Sequence, residues 1–139
     1  MNNIKDYENL NQKKVLLRLD LNVPLKDGII TDQTRINKII PVIEFLLHKN
    51  SKIIIISHVG RPKGKINNDL SLKPICKNLE KTINKKIKLI DDDIFKLKKE
   101  DLFQDPYDQI VCLENIRFYK EEENNDISFA KHLAGLADL

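Results

Sequence analysis

The residues of this 139-residue chain best equipped for chemistry gather in three short stretches. In Arg18-Leu19-Asp20-Leu21-Asn22-Val23-Pro24, an arginine, a carboxylate and an amide fall on alternate positions and so share one side of an extended segment. Such a set can grip a hydroxy acid. The plainer alternative is a charged strand end closed by an Asx turn. In Ser57-His58-Val59-Gly60-Arg61-Pro62-Lys63-Gly64-Lys65, two glycines permit close backbone approach to a ligand while the cations can meet an anion, which suits a phosphate. The glycine spacing is neither the nucleotide P-loop nor the dinucleotide fingerprint, and a solvated basic turn is the competing explanation. Glu114-Asn115-Ile116-Arg117-Phe118 adds one more arginine, which alone means little.

Arg35 lies in the first turn of a helical pattern, where the macrodipole disfavours a cation by about 0.3–1 kcal/mol. Compensation can come from an anionic ligand, because helix N-termini present free N–H groups and a guanidinium adds a planar, bidentate donor. It can equally come from Asp32 or another local carboxylate. Glu121, Glu122 and Glu123 read as a solvated loop, and Asp91, Asp92 and Asp93 read as a helix cap rather than a metal site. His48 and His132 have no second ligand at metal spacing and read as surface or packing residues. No metal ligand is assigned.

The elements that must position these residues alternate. Strand patterns cover residues 15–20, 53–57, 87–90 and 109–113, and the second contains four consecutive isoleucines, as expected of a strand buried on both faces. Helical spacing links the first two strands through Ile36, Ile39, Ile40, Ile43, Leu46 and Leu47, with Asp32 as the expected N-cap and Pro41 predicting a kink or short break. A second helix follows Ser71 with Leu72, Ile75, Cys76, Leu79 and Ile83 on one face and Pro74 in its first turn, and a last one follows Asp126. Alternating strands and helices predict an α/β fold, a parallel sheet covered on both faces in three α/β/α layers with right-handed crossovers. In such sheets ligands bind beyond the carboxyl ends of the strands, where all three stretches fall.

Length and composition limit the alternatives. A chain of 139 residues with 41% hydrophobic content predicts one domain over residues 1–139. Its 24 basic and 21 acidic residues nearly balance, so no overall field favours nucleic acid or membrane, and few aromatics accompany the cations. Residues 1–14 are too polar for a signal peptide or membrane span. Cys76 and Cys112 in apolar surroundings predict free, buried thiols and a reduced, cytoplasmic location.

The ordered set of Arg18-Leu19-Asp20-Leu21-Asn22-Val23-Pro24-Leu25, Asp27-Gly28, Thr31-Asp32-Gln33-Thr34-Arg35-Ile36, residues 57–64, Leu113-Glu114-Asn115-Ile116-Arg117-Phe118 and residues 129–138 resembles the phosphoglycerate kinase family. That family transfers a phosphoryl group reversibly between 1,3-bisphosphoglycerate and ADP, giving 3-phosphoglycerate and magnesium ATP. The resemblance implies that Asp20 and Asn22 hold the hydroxyl and carboxyl end of the glycerate, and that His58, Arg61 and Arg117, joined by Arg18, surround the non-transferred 3-phosphate. It implies that Arg35 reaches the carboxyl end and is the catalytic residue.

The resemblance covers only the first part of the family's length. It implies an incomplete N-terminal, substrate-binding domain, without the fifth and sixth strands, a further phosphate-binding arginine, or the C-terminal domain that binds Mg-ATP or Mg-ADP. The family's sheet order, third-fourth-second-first-fifth-sixth, would then leave the first strand as a bare edge open to self-association. Binding of glycerate phosphates without turnover is expected of the chain alone, and no cofactor is expected on it. A standalone, non-catalytic anion-binding domain is the alternative.

Overall fold

The computed structural model describes residues 9–27 and 29–139, without the side chain of Glu123; most of the polar amino-terminal stretch and Gly28 fall outside it. Four parallel strands form the main sheet: β1 (Lys14–Arg18), β4 (Lys52–Ile56), β5 (Ile87–Ile90) and β6 (Ile110–Leu113), in the order β1-β4-β6-β5. This is the third-fourth-second-first arrangement implied by the family resemblance.

The isoleucine run of β4 shows why this strand sits centrally. Ile53 and Ile55 enter one core with Val15, Ile87, Ile110 and Cys112, whereas Ile54 and Ile56 enter a second core with Val111, Leu113 and Ile90. Helices α1 (Thr34–His48) and α2 (Lys73–Ile83) cover the first core through Ile36, Ile43, Leu46, Ile75 and Leu79. The other face is covered by α4 (Ile127–Ala134), through Phe129 and Leu133, and by the turn at Ile94–Lys96. Because strand side chains alternate between faces, four consecutive isoleucines put apolar side chains on both faces and fit a strand between two apolar layers.

Several local expectations hold and others shift. Asp126 caps α4 by accepting from the Phe129 N–H at 3.0 Å, and Asp93 caps the turn at Ile94–Lys96 through the Phe95 N–H at 3.0 Å. Asp32 sits one residue outside the expected cap position and accepts from the Thr34 N–H at 2.9 Å; the Thr34 side chain first, and then its N–H, hold the carboxyl below the usual range. No break occurs at Pro41. It lies exposed in the middle of an uninterrupted α1, while buried Ile36 on one side and Ile43 and Leu46 on the other fix both halves of the helix to the sheet. Burial of those side chains offsets the loss of about 3 kcal/mol that an interior proline brings.

Two features are additional to the expected elements. Strands β2 (Leu25–Lys26) and β3 (Ile29–Ile30) pair antiparallel, and Asp27 follows β2 at φ 52°. The outer edge of β1 is also not bare. The Leu16 N–H donates to Leu139 O at 2.9 Å and the Asp138 N–H to Lys14 O at 2.7 Å, so the last residues pair with the beginning of β1 and leave its Arg18 end uncovered.

Candidate functional site

The loops leaving β1, β4 and β6 meet at one end of the sheet, and buried polar side chains fix them to each other. Ser57, immediately after β4, is buried; its hydroxyl donates to Leu19 O at 2.6 Å and accepts from the Leu21 N–H at 3.1 Å. Asn115, two residues past β6, is fully buried. Its amide nitrogen donates to Val59 O and Leu70 O, both at 2.9 Å, and its oxygen accepts from the Arg117 N–H at 3.0 Å. Glu114 accepts from the Ser71 hydroxyl at 2.6 Å and the Leu72 N–H at 2.7 Å, closing the start of α2 with a carboxylate. Water cannot replace these partners easily at such depth, so the loops carrying the candidate ligands act as one unit.

Asp20, Asn22 and Arg35 come together as expected. Arg35 Nη1 donates to Asn22 O and lies 3.4 Å from Asp20 Oδ1. The carboxylate beside Arg35 is therefore Asp20, distant in sequence, and Asp32 also feels its charge. The Asn22 side chain accepts from the Gly60 N–H at 3.0 Å, tying this group to the loop after β4. A cleft of ≈ 550 Å³ opens here, lined by Asn22, Asp32, Arg35, Gly60, Asp69 and apolar residues including Leu70.

His58, Arg117 and Arg18 form an adjacent, more basic group. Burial lowers the His58 pKa from its ordinary value, and the positive charges of Arg117 and Arg18 push in the same direction against the opposing pull of Glu122 and Asp20. The two groups are linked through the backbone, since the Ser57 hydroxyl, next to His58, holds Leu19 and Leu21 on either side of Asp20. Glu122 contradicts its expected role as a solvated loop residue. Its side chain is only 8% exposed and bridges Arg18 Nη2 at 2.7 Å and Arg117 Nε at 3.0 Å. These hydrogen bonds hold its carboxyl below the usual range although burial alone would raise it. Nothing in the local sequence announces this contact, because Arg18 and Glu122 are 104 residues apart.

Arg61 is exposed, and no hydrogen bond or ion pair among the described residues holds it in this group. The glycines flanking it serve the fold. A Cβ on Gly60 (φ +65°) would lie 2.6 Å from a Leu70 methyl, and one on Gly64 (φ +73°) would lie 2.8 Å from Lys120 Cβ and 3.0 Å from its Cα. Close approach is required here by the chain itself, and the Gly64 N–H donates to Arg117 O at 3.2 Å. The basic loop is thereby fastened to the segment carrying Arg117 and Glu122.

The remaining chemically interesting groups have structural roles. Cys76 and Cys112 are free and buried, and a hydrogen bond between them together with burial pushes the Cys112 thiol well up. The His132 ring packs against Phe95 and lies 3.0 Å from Leu97 O. No helix among the described residues is long and apolar enough to cross a membrane.

A sequence model described as "PGK: Phosphoglycerate kinase" matches residues 4–139. The phosphoglycerate kinase of Wolbachia pipientis wMel is 52% identical over 140 residues, covering 99% of this chain and 35% of that protein. That of Dictyoglomus turgidum is 48% identical over 132 residues, covering 95% and 33%. Among solved structures, phosphoglycerate kinase from Coxiella burnetii superposes with a TM-score of 0.83 at 35% identity, covering 97% of this chain and 33% of that one. The Pyrococcus horikoshii OT3 enzyme gives 0.82 at 27%, covering 99% and 35%. The chain spans about a third of the length of these relatives. With nearly every residue matched and the same fold recovered, the chain belongs to the phosphoglycerate kinase family.

Proposed function

We propose that this chain supplies the glycerate-phosphate site of a phosphoglycerate kinase, taking 3-phosphoglycerate or 1,3-bisphosphoglycerate in the reversible exchange of a phosphoryl group with ADP and ATP. The observation that carries this reading is the meeting, at one end of the sheet, of a cleft lined by Asn22 and Arg35, with Asp20 paired to Arg35, and a His58–Arg117–Arg18 cationic group. A glycerate phosphate has the matching polarity, with a hydroxyl and carboxyl at one end and a phosphate at the other. Asp20 and Asn22 bind the hydroxyl and carboxyl end, and His58, Arg61, Arg117 and Arg18 surround the phosphate that stays on the substrate.

Arg35 has the catalytic part. As a carboxylate oxygen of 3-phosphoglycerate forms a bond to the transferring phosphorus and the bond to the ADP oxygen breaks, charge spreads over the equatorial oxygens, where a preorganised guanidinium stabilises it. One Arg35 nitrogen is held by Asn22 O and Asp20, while Nε and Nη2 have no other partner among the described residues. Residues 57–65 lack nucleotide-loop spacing. The proposal assigns ADP and ATP to parts of the kinase beyond this matched third. On its own the chain binds glycerate phosphate without turning it over, because the transfer needs both substrates enclosed away from water.

Titration of 3-phosphoglycerate into the wild-type, Arg61→Ala and Arg117→Ala chains tests the site. Affinity falls in both variants, and equal affinity across all three chains contradicts the proposal.

A further inference from the structure

The structure leaves one ionised group unexplained by the proposed site: a carboxylate placed among cations meant for a phosphate. Glu122 lies in the four-residue helix α3 (Lys120–Glu123). Its N–H donates to Tyr119 O at 3.2 Å and its carbonyl accepts from the Asn125 N–H at 3.3 Å, with Asn125 in the left-handed region at φ 52°. The same helix packs against Gly64 of the basic loop. The side chain is thus presented from a fixed backbone, and its two oxygens engage different arginines.

The atoms used are the informative part. Each guanidinium has five N–H donors. Glu122 engages Arg18 only at Nη2 and Arg117 only at Nε, so the Nη1 and Nη2 donors of Arg117 stay unengaged among the described residues. At Arg117 a carboxylate that merely occupied the anion site would be expected to take the outward Nη1–Nη2 fork, which suits a bidentate oxyanion, rather than Nε.

We propose that Glu122 is a positioning residue, clamping Arg18 and Arg117 in a fixed relation so that their remaining donors meet the substrate phosphate together. The inference rests on the phosphate-binding reading of those two arginines. Two long side chains that would otherwise sample many rotamers are ordered before the ligand arrives, so less ordering remains for binding to accomplish. The charge of Glu122 works against the anion, and the clamp acts despite it.

This opposition gives the test a sign. Glu122→Gln removes a negative charge beside the site, so charge alone predicts tighter anion binding, whereas loss of the clamp predicts weaker binding. Glu121→Gln removes the same charge from the neighbouring position, where no ion pair to an arginine is formed. In the full natural chain, 3-phosphoglycerate and inorganic phosphate are titrated into wild type and both variants by calorimetry, or by NMR shift changes where binding is weak. Positioning predicts that both anions bind roughly three- to tenfold more weakly to Glu122→Gln and no more weakly to Glu121→Gln. Equal or tighter binding to Glu122→Gln, with the wild-type chain binding normally, overturns the inference and leaves the proposed site standing. Failure of the wild-type chain to bind either anion overturns both. Should Glu122→Gln not fold, Glu122→Asp carries the decision. It keeps the charge but is one methylene too short to span both arginines, so weakened binding supports the clamp and unchanged binding contradicts it.

Discussion

Arginine meets carboxylate twice at this end of the sheet, under different conditions. Arg35 and Asp20 lie 3.4 Å apart with about half or more of each side chain exposed. Arg117 and Glu122 lie 3.0 Å apart, the glutamate is 8% exposed, and Arg18 completes a three-residue bridge. Water screens the first pair and competes for its atoms, so an incoming carboxylate can displace it at little cost. The second pair is costlier to open, because a carboxylate with little water contact would lose its partners. Under the proposed function, the solvent-screened pair carries the arginine assigned to the transferring group, and the glutamate bridge carries those assigned to the phosphate that stays on the substrate.

The largest effect is expected from the scaffold under both pairs. Asn115→Ala removes the donor to Val59 O and Leu70 O and the acceptor for the Arg117 N–H. It should lower stability by about 2–4 kcal/mol in denaturant unfolding, since buried groups lose partners and a small cavity forms. A double-mutant cycle over Arg117→Ala and Glu122→Ala comes next, with an expected coupling of about 1–2 kcal/mol. Glu122 adds a pH signature to that cycle. Its folded pKa is depressed, so its contribution is present above the unfolded value and is lost as pH falls through the folded one. The coupling should therefore fade in acid, in a window reaching below the ordinary glutamate range. The same cycle over Arg35→Ala and Asp20→Ala should give less than about 0.5 kcal/mol. Equal couplings for the two pairs would erase the distinction between them.

What the sequence revealed about this arrangement follows the range of the interactions. The β4 isoleucines and the Asp126 cap were readable because burial on two faces and a contact three residues away leave local marks. The pairing of Leu25–Lys26 with Ile29–Ile30 left no such mark, since strands of two residues are too short to show periodicity. Pro41 misled because its cost is local while the packing that overrides it is tertiary. At the site, residue types and their place beyond the strands could be read ahead of the structure. The partners could not: Glu122 finds Arg18 across 104 residues, and Asn115 reaches Val59 across 56. Both glycines of the basic loop were readable as special positions, but only the structure shows that they face Leu70 and Lys120.

His58 reports most directly on the central claim, because it sits among the groups assigned to the phosphate and its imidazole responds to nearby charge. Burial and the neighbouring arginines hold its pKa below the ordinary value in the ligand-free chain. A bound phosphate would stabilise the imidazolium and raise that pKa. Following the His58 ring signals by NMR across pH, with and without saturating 3-phosphoglycerate, should show the midpoint moving up when the ligand is present. An unchanged His58 midpoint under saturating ligand would contradict the assignment of this site.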